Sequence, residues 1–192
     1  MPVTQKPEGR FVKGSVLVDY LKLMRSSPHL PWSDHLSPEE LKQLGEMILP
    51  ASWYSVDLFQ RLGLAVFKLI SKENYEVVRG YGRFLAEQMH AQNPGLVVKG
   101  RPLDTLNKYQ VIQDRLFSFK VLEIKPQGPG RLSFLAHFLP EDVAIRLYME
   151  VTAATIGRLI EFAEGRNVHA RILEGMWQGA NRNIMEVTWE EP

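Results

Sequence analysis

Five histidines, a pair of arginines and a run of aromatics are the residues of this chain whose types and spacing could do chemistry; cysteine is absent. Without a thiol there is no disulfide, thiolate zinc site, cysteine nucleophile or thiolate-ligated haem. His29, His35, His90, His137 and His169 include no pair at metal-ligand spacing. His29 and His35 lie in or beside a proline-rich loop, and His137 and His169 on strands with polar neighbours. His90 falls near the end of a helical segment with Met89 on its apolar side, where an imidazole can ligate a haem iron or remain an ordinary satisfied or exposed side chain. Arg79 and Arg83 stand one helical turn apart, a spacing that can hold an acidic group or simply form a solvated face. Trp53, Tyr54, Phe59, Tyr81, Phe84, Phe117 and Phe119 can line an apolar pocket together with His90, or fill a core.

No G-x-S-x-G, Walker loop, H-E-x-x-H or EF-hand loop is present, and Gly80-Tyr81-Gly82 is a lone G-x-G inside a helical pattern. A non-enzymatic protein is the expectation. The formal net charge is +1, with acids and bases interspersed, so neither nucleic acid nor an anionic membrane is expected as the main partner. The first residues contain no secretory apolar region and no apolar run is long enough to span a bilayer, which predicts a soluble, cytoplasmic protein without membrane insertion.

These residues have to be positioned by an α+β fold. Residues 1–10 read as a flexible leader and 11–192 as a single α+β domain, helical over 14–114 and β-β-α-β-β over 115–189. Leu17, Tyr20, Leu21 and Met24 recur at helical spacing after Gly14, and 26–35 is a proline-broken loop. Ser37-Pro38-Glu39-Glu40 carries a capping box with proline at the first helical position, and Leu41, Leu44, Met47 and Ile48 form the predicted buried face. Pro50 ends that segment, and Trp53 and Tyr54 sit in a tight connection. Ser55 is expected to cap a helix facing inward through Leu58, Phe59, Leu62, Val66, Leu69 and Ile70. A helix over about 73–92 is predicted to bury Val77, Val78, Tyr81, Phe84, Leu85 and Met89. Gly80 and Gly82 inside it, each costing about 1 kcal/mol against alanine, signal close approach of another backbone or a local break. Asn93-Pro94-Gly95 stops that helix, and Pro102 opens a shorter one.

After Asp114 the period falls toward two, with Phe117, Phe119 and Val121 alternating on a strand over 115–125 and Leu132, Phe134, Ala136 and Phe138 on its return. Pro140-Glu141-Asp142 is read as the start of a long helix to Glu164, its acids at the positive end of the dipole. Val143, Leu147, Val151 and Ala154 form one apolar row; Ile145, Met149, Ile156 and Ile160 form another. A helix apolar over most of its circumference is covered on more than one side, by a sheet and a second layer or by a second subunit. Gly165 is the expected C-cap. A last hairpin over 168–177 and 183–189, turning at Gly179 and Asn181, closes the fold with Met185, Val187 and Trp189 on one face.

Val12-Lys13-Gly14-Ser15-Val16-Leu17, Leu49-Pro50-Ala51-Ser52-Trp53-Tyr54 with Phe59, Arg79-Gly80-Tyr81-Gly82-Arg83-Phe84 and Glu186-Val187-Thr188-Trp189 resemble the landmarks of a little-characterised domain family best represented in myxobacteria. The layout of 115–189 is also similar to the 4-vinyl reductase domain, the haem-nitric-oxide-binding domain and the TRAPP vesicle-tethering subunits. That resemblance implies an α+β fold used for small-molecule sensing or as a dimeric assembly module. The haem branch implies a proximal histidine on a helix, here His90, followed by Tyr-x-Ser-x-Arg to grip the propionates. Leu116-Phe117-Ser118-Phe119-Lys120 keeps the serine but loses the hydroxyl and the bidentate guanidinium, so no cofactor is expected. The 4-vinyl reductase branch often has cysteines near the last hairpin; this chain has none.

These readings converge on a cytoplasmic signalling or regulatory module, acting as a homodimer, through a protein partner, or by enclosing a small apolar ligand. The alternative is a sensor domain with a bound cofactor, haem or another small molecule.

Overall fold

A computed structural model describes residues 6–139 and 142–192. The chain is α+β and divides into two compact units: Met1–Glu73 with Asp114–Lys120 and Asp142–Ala144, and Asn74–Gln113 with Val121–Glu141 and Ile145–Pro192.

The first unit holds β1 (Phe11–Lys13), α1 (Gly14–Ser26), α2 (Pro38–Gly45), β2 (Trp53–Ser55) and α3 (Val56–Leu69). β1 and β2 pair antiparallel, with Val12 opposite Tyr54, and each runs directly into a helix. Two of the sequence landmarks therefore meet. A Cβ on Gly14 would lie 2.3 Å from the Leu49 carbonyl oxygen, and the Gly14 and Ser15 N–H groups donate to Ser52 and Pro50 carbonyls at 2.9 and 3.0 Å. The capping box forms as read: Ser37 Oγ accepts from Glu40 N–H, and Ser37 N–H donates to Glu40 Oε2. Ser55 caps α3 through the Leu58 N–H. Leu17, Leu21, Trp32, Leu36, Leu44, Leu58 and Leu62 form the core.

The second unit holds α4 (Tyr75–Gln92), α5 (Pro102–Leu116) as far as Gln113, β3 (Leu122–Gly128), β4 (Arg131–Ala136), α6 (Ile145–Phe162), β5 (Arg166–Glu174) and β6 (Asn183–Glu190). The four strands form one sheet in the order β3-β4-β6-β5, every pair antiparallel. Alternation puts Leu132, Phe134 and Ala136 of β4 and Met185, Val187 and Trp189 of β6 in the core with Met149, Ile156, Leu159 and Ile160 of α6. On β6 Glu186 accepts from Arg131 of β4 and Arg171 of β5, locking three strands in register; the hydrogen bonds from Arg131 and then Arg171 hold its carboxyl below the usual range.

α4 packs on α6 through Val78, Gly82 and Ala86. A Cβ on Gly82 would lie 2.4 Å from the Val151 carbonyl oxygen, whereas one on Gly80 would meet nothing within 4 Å. The close approach expected from the glycine pair is real at one of them. With α4 and the sheet both packed on it, the apolarity of α6 requires no second subunit.

The structure corrects several expectations. Met47, Val77 and Phe84 were read as buried, yet Met47 is 81% exposed and the other two are about half exposed at 48% and 47%. For α4 the reason is steric: the inward face is chosen by how near α6 can come, which favours the small residues. The strand expected from Arg115 begins at Leu122, because α5 continues to Leu116 and Phe117 instead bridges Val12 of β1. β2, expected as a tight connection, is a strand, and β1, for which no element is expected, is its partner. The proposed helix start at Pro140 and Glu141 lies outside the described residues. Asp142 precedes α6, its buried carboxylate fixed by Arg10 and Gln60, and Val143 is exposed. At the far end Glu164, not Gly165, takes the left-handed conformation, with φ of 72°; Gly165 is needed because a Cβ there would lie 2.4 Å from Ile160 Cγ2. β5 ends at Glu174, and Trp177 lies in a short 3-10 turn.

Candidate functional site

The aromatic residues singled out in the sequence fall into both units. In the first, Phe59, Phe117 and Phe119 pack ring to ring, with centroids 6.2 and 5.7 Å apart. Trp53 carries the Lys13 ammonium 3.9 Å from its ring centroid, and the Tyr54 hydroxyl accepts the Leu49 N–H at 3.0 Å. In the second, Tyr81 and Phe84 stack at 6.4 Å. The His90 ring lies 4.9 Å from that of Phe162, and its Nδ1 is buried with no hydrogen-bond partner.

Arg79 and Arg83 enter a different site. They line a cleft of about 620 Å³ with Glu76, with Glu150 and Glu161 of α6, and with Val168, Ala170 and Ile172 of β5. The floor is Ala153, Ala154 and Gly157 of α6. Helix periodicity explains the arrangement: on α4, Glu76, Arg79 and Arg83 project from the flank next to the Val78–Gly82–Ala86 contact row. Between the two register shifts of β5, Val168, Ala170 and Ile172 share the sheet face on which α6 lies.

The charges form two ion-pair groups, one centred on Glu150 and one on Glu161. Arg79 donates to Glu76 and, at 2.7 Å, to Glu150. Arg83 grips both oxygens of Glu161, at 3.3 and 3.0 Å. Arg158 bridges Glu161 and Glu87 at 2.9 and 3.1 Å, and Arg146 lies 3.9 Å from Glu150. Hydrogen bonds to Glu76 and then to Glu150 hold the Arg79 guanidinium above its usual pKa. Burial alone would push Glu161 up, but hydrogen bonds from Arg158 and Arg83 outweigh it and hold the carboxyl below the usual range. Sequence reasoning found the two arginines and missed their partners and the β5 wall. The available signal was Glu150 and Glu161, two of the few charges on an otherwise apolar helix.

Among the described residues no group of three or more His, Asp or Glu is placed to hold a metal ion, and no helix is long and apolar enough to cross a membrane.

No protein-family model matches the chain, and no curated protein matches it. Solved H-NOX domains share its fold. A mutant H-NOX of T. tengcongensis is 17% identical, with a TM-score of 0.58 over 94% of this chain and 98% of that one. An oxygen-binding H-NOX domain related to soluble guanylate cyclases, in its oxygen complex, is 17% identical, with a TM-score of 0.57 over 94% and 96%. An H-NOX structure from work on haem distortion is 16% identical, with a TM-score of 0.59 over the same shares.

Haem is named for the H-NOX family; here the buried, unpartnered Nδ1 of His90 fits such a group, whereas the residues at the propionate motif do not. The α4 face turned toward α6 presents Val78, Gly82 and Ala86, and Gly82 stands against the α6 backbone. Histidine enters at the helix end, against Phe162. Ser118, the one residue kept from the propionate motif, is committed to β1: it accepts from the Phe11 N–H at 2.8 Å and donates to the Gly9 carbonyl at 2.7 Å. Arg83 and Arg158 already hold carboxylates of the chain itself.

Proposed function

We propose that this chain is a non-enzymatic signalling module that senses a small molecule on the H-NOX fold, without haem, through the cleft formed by α4, α6 and β5. The cleft carries the reading. It has the volume of a small-molecule site, a floor of small residues, and polar groups converging from two helices. The fold shared with oxygen- and haem-binding H-NOX domains supports a sensing role by analogy. Because the cleft is walled by α4 and β5, both packed on α6, a bound molecule biases the α4–α6 ion pairs, which serve as the two-state element for signal output.

Hydrogen exchange on the full chain tests the assignment. A compound that raises the melting temperature should protect α4, α6 and β5. Protection confined to the aromatic cluster of Phe59, Phe117 and Phe119 would overturn it.

A second reading rests on one atom. The buried, unpartnered Nδ1 of His90 is the kind of orphan that a bound group could satisfy, and it favours a haem ligated by this histidine. Haemin titration should then give a Soret band that His90→Ala abolishes.

A further inference from the structure

The carboxylates on the cleft arginines are not equivalent. Glu150 and Glu161 belong to α6 and each is shared between two arginines, Glu150 by Arg79 and Arg146, Glu161 by Arg83 and Arg158. Glu76 sits three residues from Arg79 on the same helix with its side chain 76% exposed. An exposed pair at this spacing is weak, because water and salt screen it, so Glu76 can leave Arg79 at little cost. Set aside Glu76 and the group on Glu150 holds two arginines, Arg79 and Arg146, against one glutamate. It then has one positive charge in excess, and the guanidinium edge that Glu76 occupied is open to an anion that offers two oxygens. Beside it lies an apolar surface, with Ala153, Ala154 and Gly157 below and Val168, Ala170 and Ile172 along the wall.

Resting on the proposed sensing role of this cleft, we infer that its ligand is an amphipathic anion. A carboxylate or phosphate monoester replaces Glu76 on Arg79, and an apolar body lies along α6 and β5. Glu76 acts as an internal competitor that keeps the arginine paired while the cleft is empty. A cationic or neutral ligand gains nothing from this arrangement, since every carboxylate of α6 in the cleft is already doubly matched. The headgroup chemistry is common to free metabolites and to single-chain lipids, and varying the chain length separates the two sources.

Decanoate, decanol and decylamine, titrated calorimetrically into the full chain below their aggregation limits, test the inference. Decanoate should bind at one site at least tenfold more tightly than decanol. Arg79→Ala should cost decanoate tenfold or more and leave decanol unchanged. Glu76→Gln should tighten decanoate several-fold, an effect that a merely stabilising role for Glu76 does not produce. Ala170→Trp, at an exposed position of the β5 wall, should block binding. Octanoate binding as well as decanoate would indicate a soluble metabolite, and steady gain with chain length a lipid, both within the inference. Equal binding of the three probes, or a preference for decylamine that Ala170→Trp abolishes, would overturn the anion while leaving the cleft as a ligand site. Binding that Ala170→Trp does not touch, or no binding by the folded chain, would remove both.

Discussion

The single hydroxyl proton of Thr155 is shared between the carbonyl oxygens of Gly82 on α4 and Val151 on its own helix, each 2.9 Å away. The bond is buried and joins α6 to α4 at the point where the two backbones come closest. An absent side chain at 82 and a hydroxyl at 155 thus set the helix separation, and with it the reach of Arg79 and Arg83 to Glu150 and Glu161.

The two α4 glycines should respond oppositely to alanine. Gly80→Ala adds a methyl where nothing stands within 4 Å and should stabilise by about 1 kcal/mol through helix propensity. Gly82→Ala drives a methyl into the Val151 carbonyl and Ala154 and should destabilise by about 2 kcal/mol despite the same propensity gain. Urea midpoints of the two variants check this; equal shifts would mean that α4 does not approach α6 at Gly82.

Asp142 is the costliest surface-sequence acid to lose. Its side chain is 2% exposed, paired with Arg10 at 2.7 Å and bonded by Gln60, which in turn accepts the Ala144 N–H. Asp142→Ala strands both partners and should cost about 3 kcal/mol. Asp19→Ala, which removes an exposed pair with Lys22, should stay within about 0.5 kcal/mol. Chemical denaturation of both variants gives the comparison, and similar losses would contradict the buried pairing.

Alkali should weaken the fold through two buried phenols. Burial pushes the Tyr109 phenol well above its usual range, against a hydrogen bond from Thr152, and burial followed by the charge of Asp19 pushes Tyr20 up to about 12. An acid whose folded pKa is raised stabilises fully below its unfolded value, near pH 10, and the contribution is lost as pH rises from there through the folded value. The expected slope above pH 10 is about 1.4 kcal/mol per pH unit for each tyrosine. Denaturation at pH 9, 10 and 11 should show it, with a shallower fall in Tyr109→Phe.

How far the sequence anticipated these features depended on their range. Ser37 with Glu40, Ser55 at the start of α3, and the alternation of Leu132, Phe134 and Ala136 involve residues a few positions apart, and each was read correctly. β1 and β2 are three residues each, too short to express a period, and exist because their backbones pair with each other. Val77 and Phe84 misled because hydrophobicity was taken as burial where interhelical distance decides. Asp142 looked like a helix-dipole acid because its partner Arg10 lies 132 residues away. The cleft was hidden for the same reason: Arg79 and Arg83 were visible as a pair, but their meaning depends on Glu150 and Glu161, 71 and 78 residues further on.

Native mass spectrometry of freshly purified full-length chain, with an absorption spectrum of the same sample before and after added haemin, tests the central claim most directly. The predicted result is a small-molecule adduct that leaves on denaturation, no Soret band, and no stoichiometric haem uptake. A chain that carries haem with a Soret band lost in His90→Ala, or one that takes up no small molecule under any condition, would contradict a haem-free sensor.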